Sequence, residues 1–280
     1  MKISFIVLTY NRTDALLLVL RSLAAQCGAD HEVLIADDGS KRAQVDMLYQ
    51  KCPPFKCPVW HIWHPDTGFT AAKARNLGAY HALGDYLIFL DGDCVPGASF
   101  VAAQTRLAQE KCFVNGSRVL LSELLTRRAL SQEIDLCSQS AWFWLKARLQ
   151  GDSNKLLHLL GWPGSLFRVK TGFKWQGIRS CNMAVWRKDF VAVNGFDETF
   201  EGWGHEDADL VLRLSNFGVQ RKNGFWATEV FHLWHREQKR DKESVNEKKV
   251  LQRMQTHLIR AEKGLAQLGS DQLENIHQLQ

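Results

Sequence analysis

The sequence has no uninterrupted apolar run approaching the roughly 18 residues that a membrane-spanning helix needs. The apolar stretch at residues 3–8 is too short for the core of a signal peptide, and polar residues from Tyr10 to Asp14 follow it directly. We therefore interpret this stretch as a first buried strand. The expected location is cytoplasmic, and a peripheral contact with the inner face of the membrane stays open as an alternative.

Other common signals are also missing. The seven cysteines form no Cys-x-x-Cys pair, so the sequence indicates neither a disulfide framework nor a zinc ribbon, and free thiols account for them. A net charge of +5 is too small and too scattered to indicate nucleic-acid binding, although it suits a phosphate site or anionic lipid. The length of 280 residues fits one large α/β domain, or one domain with a substantial insertion.

The first hundred residues alternate between strand and helix. Residues 3–8, 32–36, 59–62 and 86–90 are short apolar runs, which is typical of parallel strands buried on both faces. Helical patterns lie between them, most clearly at about residues 13–23 and 70–83. This order predicts an α/β fold with a Rossmann-like, mostly parallel central sheet flanked by helices, and functional loops at the carboxyl ends of the strands.

The middle and the end of the chain have a different pattern. Between about residues 121 and 149, apolar residues recur at steps of three and four, which predicts one amphipathic helix or a pair. The basic tail after residue 236 has a helical stripe made of Leu251, Met254, Leu258, Ala261, Leu265 and Leu268. Both segments are expected to pack onto the core or to pair in a homodimer, and docking on membrane lipid is the alternative.

Two acidic loops follow predicted strands. Asp91-Gly92-Asp93 places two carboxylates one residue apart, where both can reach one Mg²⁺ or Mn²⁺ ion that bridges a diphosphate. In Asp37-Asp38-Gly39-Ser40, a carboxylate could accept the imide N–H of uracil. Taken alone, the first loop could be a solvated acidic turn, and the second a turn that caps a helix.

Further polar residues fall on predicted helix starts and strand ends. Lys73, Arg75 and Asn76 begin a helix that could hold a diphosphate or a sugar hydroxyl, or that simply faces solvent. Residues 200–209 place Trp203 between Gly202 and Gly204, where its ring could stack on a sugar. The adjacent Glu206 and Asp207 could position an acceptor and act as a general base, although a capped helix start is also expected there.

Histidines supply the last candidate ligands. His232 and His235 follow a predicted strand at 229–231, and one of them could complete a metal site with Asp93, or both could be structural. His61 and His64 could imitate this role, but we interpret them as structural.

Taken in order, these motifs resemble inverting glycosyltransferases of family 2 with the GT-A fold. The resemblance rests on Val7 to Arg12, Ile35 to Ser40, Ala74-Arg75-Asn76 and Phe89 to Asp93. A C-terminal portion at Asn182 to Val185, Gly195-Phe196-Asp197 and Gly202 to Leu210 is similar to β-1,4-galactosyltransferases and bacterial chondroitin polymerase. Residues 120–176 match none of these motifs.

The resemblance implies four segments and a set of roles. A nucleotide-sugar-binding half (1–118), a helical and loop insertion (119–176), an acceptor-binding and catalytic half (177–236) and a helical tail (237–280) are expected. Donor contacts fall on Thr9, Tyr10, Asn11, Arg12, Asp38, Lys73, Arg75, Asn76, Asp91 and Gly92. Acceptor contacts fall on Asn182, Trp203, Gly204 and Glu206, the general base on Asp207, and metal ligands on Asp93, Asp91 and His232 or His235.

The expected activity is transfer of a hexose or N-acetylhexosamine from a UDP-sugar to a saccharide or lipid-linked saccharide acceptor, with Mn²⁺ or Mg²⁺ as cofactor. Polysaccharide biosynthesis at a bacterial surface is the expected setting. A sugar nucleotidyltransferase is one alternative, but Thr9 to Thr13 lack the Gly-rich basic loop that holds a triphosphate. A glycan-binding or scaffold protein with a degenerate site is the other, although the acidic and histidine residues are intact.

Overall fold

The computed structural model describes residues 1–156, 159, 161–162, 164, 167–170, 172–202, 204–236, 243–269 and 275–280. The strands are β1 Ile3–Thr9, β2 His31–Asp37, β3 Val59–Trp63, β4 Tyr86–Asp91, β5 Cys94–Pro96, β6 Cys112–Asn115, β7 Ser117–Leu120, β8 Val169–Lys170, β9 Asn182–Trp186, β10 Gln220–Asn223, β11 Glu229–His232 and β12 Ile276–Gln278. The α-helices are α1 Thr13–Ala24, α2 Arg42–Lys51, α3 Ala71–His81, α4 Phe100–Leu107, α5 Glu123–Leu130, α6 Ala141–Leu149, α7 Arg187–Ala192, α8 Glu206–Asn216 and α9 Glu243–Arg253.

Nine strands form the central sheet, in the order β12-β3-β2-β1-β4-β9-β6-β10-β8. Neighbours from β3 to β4 are parallel, while β9 runs antiparallel to β4 and β6. The predicted α/β fold with a central sheet flanked by helices is therefore confirmed. The sheet itself is mixed, because four antiparallel pairs accompany the parallel run from β3 to β4 and the parallel pair of β6 and β10. In β1, Phe5 and Ile6 point to opposite faces and join two separate hydrophobic clusters, as expected for a strand with helices on both sides.

A second, smaller sheet has the order β5-β11-β7. In its antiparallel pair, His232 of β11 lies opposite Cys94 of β5, and the amide of Leu233 donates to the carbonyl of Asp93 at 2.9 Å. This pairing brings the end of β11 to the acidic loop after β4, although 139 residues separate Asp93 and His232 in the chain.

The segment predicted as one helix or a pair forms α5 and α6. Each begins at a serine, because the hydroxyls of Ser122 and Ser140 accept hydrogen bonds from the amides of Leu125 and Phe143. No described helix is long and apolar enough to cross a bilayer. The seven cysteines carry free thiols.

The predicted continuous stripe of the tail is wrong, because α9 ends at Arg253. The later residues of the predicted stripe lie in turns, irregular segments and a short 3₁₀ helix at Leu265–Gln267. Beyond them, strand β12 pairs antiparallel with β3. Parts of the predicted tail, residues 237–242 and 270–274, lie outside the described residues. The described remainder contacts α8 and β3, which agrees with packing onto the core, one of the two interpretations favoured for this segment beside pairing in a homodimer.

Arg253 fixes the end of α9 to the rest of the fold. Its guanidinium contacts Asp209 of α8 at 2.6 Å, Asp197 at 2.9 Å and Glu262 at 2.7 Å. Asp209 also accepts from the fully buried Arg213 at 2.8 Å. The side chains of Asp197 and Asp209 are fully buried, so their charges depend on these arginines.

We expect Arg253→Ala to lower the free energy of unfolding by about 3–5 kcal/mol, because it leaves the buried carboxylate of Asp197 without a cation and the buried carboxylate of Asp209 with Arg213 alone. Urea unfolding would measure the change. Lys248→Ala, an exposed position on the same helix, is the control and should change stability by less than about 0.5 kcal/mol. Equal stabilities of the two variants would contradict a role for Arg253 in holding the tail.

Candidate active site

The loop between β4 and β5 carries Asp91, Gly92 and Asp93 at the centre of the sheet edge. The amide of Gly92 donates to the carbonyl of Leu8 at 2.6 Å. A Cβ atom at Gly92 would lie 2.9 Å from that carbonyl oxygen, so only glycine allows this close approach to β1. The turn therefore presents both carboxylates at the carboxyl ends of β1 and β4.

Both candidate histidines lie beside Asp93. The Nε2 atom of His235 is 3.3 Å from Asp93 Oδ2, and that of His232 is 3.9 Å from Oδ1. Cys94 also lies within reach of Asp93 and His232. Burial and the neighbouring Cys181 raise the pKa of the Cys94 thiol. Sulfur is also a less suitable donor than oxygen or nitrogen for a cation such as Mg²⁺ or Mn²⁺.

The remaining donors fit a hard or borderline divalent cation. One carboxylate and two imidazoles offer oxygen and nitrogen ligands of the kind that Mn²⁺ accepts. Burial is the largest cause of the lowered pKa of His232, which favours the neutral, metal-binding form of its ring. The structure thus places Asp93, His232 and His235 together, and either histidine or both can serve as ligands.

The other acidic loop is held by residues whose role the sequence did not reveal. Asp38 accepts from the hydroxyl and the amide of Thr70, at 2.5 and 3.0 Å, and lies 3.2 Å from His64 Nε2. Asp37 lies 3.0 Å from the Nε2 atom of the buried His61. The two histidines are structural, as expected, but their function is to fix the acidic loop. The sequence feature that could have revealed this role is the presence of histidines in and directly after the neighbouring strand β3.

The loop after β1 packs against the loop after β2. The amide of Asn11 donates to Ser40 Oγ at 2.8 Å, and Asn11 Oδ1 accepts from the amide of Lys41 at 2.9 Å. Thr9 is buried and lies opposite Asp37 in the pairing of β1 with β2. Tyr10 is exposed, and its hydroxyl donates to Asp66 at 2.9 Å. Asn11 therefore shapes the predicted nucleotide-binding edge.

Arg75 links the two halves of the site. Its guanidinium donates to Asp91 Oδ1 at 2.8 Å and to Glu206 Oε1 at 3.2 Å, and its side chain is only 3% exposed. We expected Arg75 to contact a donor directly, but in the described structure its charge is directed to these two carboxylates. Lys73 lies half-buried on the first turn of the same helix.

Two predicted contacts need correction, because the side chains are buried and satisfied within the protein. Asn76 exchanges hydrogen bonds with the backbone of Phe196 and donates to Glu198. Asn182 donates to the carbonyls of Ser117 and Thr228. With exposures of 0% and 1%, Asn76 and Asn182 tie elements together and cannot reach a donor or an acceptor.

Glu206 and Asp207 form the first turn of α8. Asp207 accepts from the amides of Ala208 at 2.8 Å and Ser180 at 3.3 Å. Burial and the charge of Glu206 raise the pKa of Asp207 to about 7, although Arg75 opposes the shift. A carboxyl group with a pKa near neutrality is well matched to accepting a proton.

Trp203, the predicted acceptor platform, lies outside the described residues. Helix α9 contacts the backbone on both sides of position 203, because its buried Asn246 donates to the carbonyls of Glu201 at 3.1 Å and Gly204 at 3.0 Å. Gly204 has a φ of 104°, a conformation that favours glycine. The tail therefore orders the loop that precedes Asp207.

A cavity of about 340 Å³ opens beside the predicted metal ligands. Arg12, Trp234, His235 and Arg236 line one side of it, and α5 lines the other. Its lining carries three cationic side chains, Arg12, Arg236 and Arg127 of α5, and one acidic side chain, Glu123, which pairs with Arg127 at 2.6 Å. The lining is therefore positive on balance and suits an anionic group such as a phosphate.

Two family models match the chain. The model of glycosyl transferase family 2 matches residues 4–170, and the model of the N-terminal domain of galactosyltransferase matches residues 166–236. The boundary between them falls within the 119–176 segment, which carried no recognisable motif.

Curated relatives and solved structures agree with these matches. Validoxylamine A glucosyltransferase of Streptomyces hygroscopicus subsp. jinggangensis is 29% identical, over 78% of this chain and 52% of that protein. Chondroitin synthase of Escherichia coli is 24% identical, over 77% and 32%. S. aureus TarS 1–349 in complex with UDP-GlcNAc is similar in fold, with a TM-score of 0.59 at 14% identity, covering 95% of this chain and 69% of that one. The chain spans about half the length of the first curated relative and less of the second.

Proposed function

Since the chain belongs to glycosyl transferase family 2, we propose that it transfers a hexose or an N-acetylhexosamine from a UDP-sugar to a hydroxyl group of a saccharide acceptor. Residues 1–118 would hold the donor and residues 177–236 the acceptor and the general base. The observation that carries this proposal is the chain of contacts from Asp91 through Arg75 to Glu206, which connects the two halves beside Asp93.

The donor site is proposed at the loops after β1, β2 and β4. Asp38 is only 4% exposed, accepts two hydrogen bonds from Thr70 and lies 3.2 Å from His64 Nε2. A carboxylate can accept more hydrogen bonds than Thr70 supplies, so the imide N–H of uracil is its proposed further donor. Tyr10 is exposed at the same edge, and Arg12 lines the adjacent cavity. Solved neighbours named as complexes with UDP-GlcNAc or UDP support a uridine nucleotide.

Asp93, His232 and His235 would hold the metal, with Asp91 close by. When bound there, Mn²⁺ or Mg²⁺ would neutralise negative charge on the departing diphosphate. A solved neighbour, the mannosyltransferase PcManGT, is named as a complex with GDP-Man and Mn²⁺.

Asp207 is proposed as the general base of a single displacement. Its carboxylate removes the proton of the acceptor hydroxyl, and the acceptor oxygen forms a bond to the anomeric carbon as the bond to UDP breaks. Attack from the face opposite the nucleotide inverts the anomeric configuration. Glu206, Gly204 and Trp203 would orient the acceptor, because they closely precede Asp207 in the chain.

A saccharide of a bacterial surface polysaccharide or lipopolysaccharide, free or lipid-linked, is the proposed acceptor. Chondroitin synthase of Escherichia coli and hyaluronan synthase of Pasteurella multocida, both named for a saccharide polymer, are among the relatives of this chain, which supports this class. A degenerate glycan-binding protein is disfavoured by the intact set of Asp93, His232 and Asp207.

Calorimetric titration of UDP tests the donor site. We expect UDP to bind in the presence of Mn²⁺ and to lose most of its affinity in EDTA. Asp93→Ala should weaken Mn²⁺-dependent binding by about 100-fold or more, because it removes a direct ligand. Asp30→Ala, an exposed acid just before β2, is the matched control and should bind as the unchanged chain does.

Equal UDP affinity in Mn²⁺ and EDTA would contradict the metal site. Absence of UDP binding under both conditions would contradict the role of Asp38 and point to another nucleotide.

A further inference from the structure

Helix α6 carries apolar side chains on two opposite faces. On its inner face, Trp144 is buried and its ring stacks on that of Phe231, with ring centroids 4.6 Å apart and planes 4° from parallel. On its outer face, Trp142 is 75% exposed and Leu149 is 81% exposed, with Leu145 between them. Positions 142, 145 and 149 follow helical spacing, so these side chains form one stripe.

The stripe continues onto α5. Ser122 caps α5 and donates its hydroxyl to Asp152, which follows α6, at 2.5 Å, so the start of α5 lies beside the end of α6. Leu124, in the first turn of α5, is 63% exposed. We refer to Trp142, Leu145, Leu149 and Leu124 as the outer face.

The charges around this face have one sign on α6. Lys146 and Arg148 are the only charged residues of that helix, and both are exposed. On a helical projection they flank the apolar stripe on its two sides. On α5, Glu123 beside Leu124 pairs with Arg127 at 2.6 Å and Arg128 adds a further positive charge, so both helices are positive on balance. A tryptophan and leucines among such side chains match the composition of helices that lie in the interface of an anionic membrane.

We propose that the outer face docks on the surface of an anionic lipid bilayer. A second copy of the chain fits less well, because symmetric pairing of this face would bring Lys146 and Arg148 of both copies together. The bilayer instead offers acyl chains to Trp142 and the leucines, and anionic headgroups to the two cations. The tail does not provide this surface, since its described part packs on α8 and β3.

Docking would set the orientation of the site relative to the membrane. Phe231, which stacks on Trp144, directly precedes His232 in β11. The inner face of α6 therefore packs on the strand that ends at the predicted metal site. A bilayer bound to the outer face would therefore lie at a fixed orientation to the predicted metal site.

Vesicle co-sedimentation of the full chain tests the proposal without relying on activity. The probes are phosphatidylcholine vesicles, with and without about a third of the lipid replaced by phosphatidylglycerol. We expect binding to the anionic vesicles only. The double variant Trp142→Ser/Leu149→Ser should bind the anionic vesicles at least about tenfold more weakly, because it removes most of the apolar contact. Lys146→Glu/Arg148→Glu should also lose binding, through charge.

Leu83→Ser is the matched control, because Leu83 is 69% exposed but lies outside the outer face; it should sediment as the unchanged chain does. UDP titration of each variant checks that the fold is intact. Failure of the full chain to bind anionic vesicles, or equal binding by Trp142→Ser/Leu149→Ser, would overturn the proposal. If the same double variant instead converted a dimer to a monomer in light scattering, without any vesicle binding, the face would be a self-interface and the proposal wrong.

Discussion

Replacing Asp207 by asparagine is expected to lower turnover by about 10²–10⁴-fold while leaving UDP affinity nearly unchanged. Asparagine keeps the size of the side chain, and its single carbonyl oxygen can still accept from the amide of Ala208, which contacts Oδ1 at 2.8 Å, while the longer 3.3 Å contact of Ser180 with Oδ2 is lost. It cannot take up a proton at neutral pH. The variant therefore isolates proton transfer from folding and from donor binding.

The pH dependence of turnover provides a second readout of the same residue. A base works when it is deprotonated, and burial together with Glu206 raises the pKa of Asp207 to about 7. Turnover of the unchanged chain should thus rise as the pH increases through about 7. The residual activity of Asp207→Asn should lack this rise. Near-normal turnover of the variant, or an unchanged pH profile, would contradict Asp207 as the base.

Replacing Arg75 by lysine is expected to lower kcat/KM by about 100-fold, because lysine keeps the charge but cannot bridge two carboxylates with a planar fork. Hydrogen bonds to charged groups contribute about 1.5–3 kcal/mol each, and at least one of the contacts to Asp91 and Glu206 is lost. Arg21→Lys, an exposed position on α1, is the matched control and should have no effect.

A purely structural role of Arg75 can be separated from a positioning role by the pH profile. The charge of Arg75 opposes the raised pKa of Asp207. Arg75→Met removes that charge, so the midpoint of the pH profile should move to higher pH, whereas Arg75→Lys should keep it closer to the original. An unchanged midpoint in Arg75→Met would show that Arg75 does not act on Asp207.

Much of the fold could be predicted because its central strands are buried on both faces. Such strands are continuous apolar runs, and each of the first four was recognised from residues close together in the chain. The tail could not be read in this way. Strand β12 forms by pairing with β3, where Ile276 lies opposite Ile62. The partner strand is more than 200 residues away in the chain, so the local sequence does not predict this pairing.

The site shows the same division between local and distant information. Asp91 and Asp93 were predicted because an acidic pair after a buried strand is a local pattern. The bridge formed by Arg75 depends on Glu206, 131 residues further along the chain, and only the fold reveals it. Asn76 and Asn182 were predicted wrongly because a polar side chain in a motif looks the same whether it faces a ligand or the protein interior.

Release of UDP from a panel of UDP-sugars, measured first with Mn²⁺ and then with EDTA, tests directly whether the chain is a metal-dependent UDP-sugar transferase. The panel contains galactose, glucose, their N-acetylamino forms and glucuronate as the sugar. We expect UDP release from one hexose or N-acetylhexosamine donor. This release should stop in EDTA and fall strongly in Asp93→Ala. UDP release that persists in EDTA, or no release and no binding with any member of the panel, would contradict a metal-dependent UDP-sugar transferase.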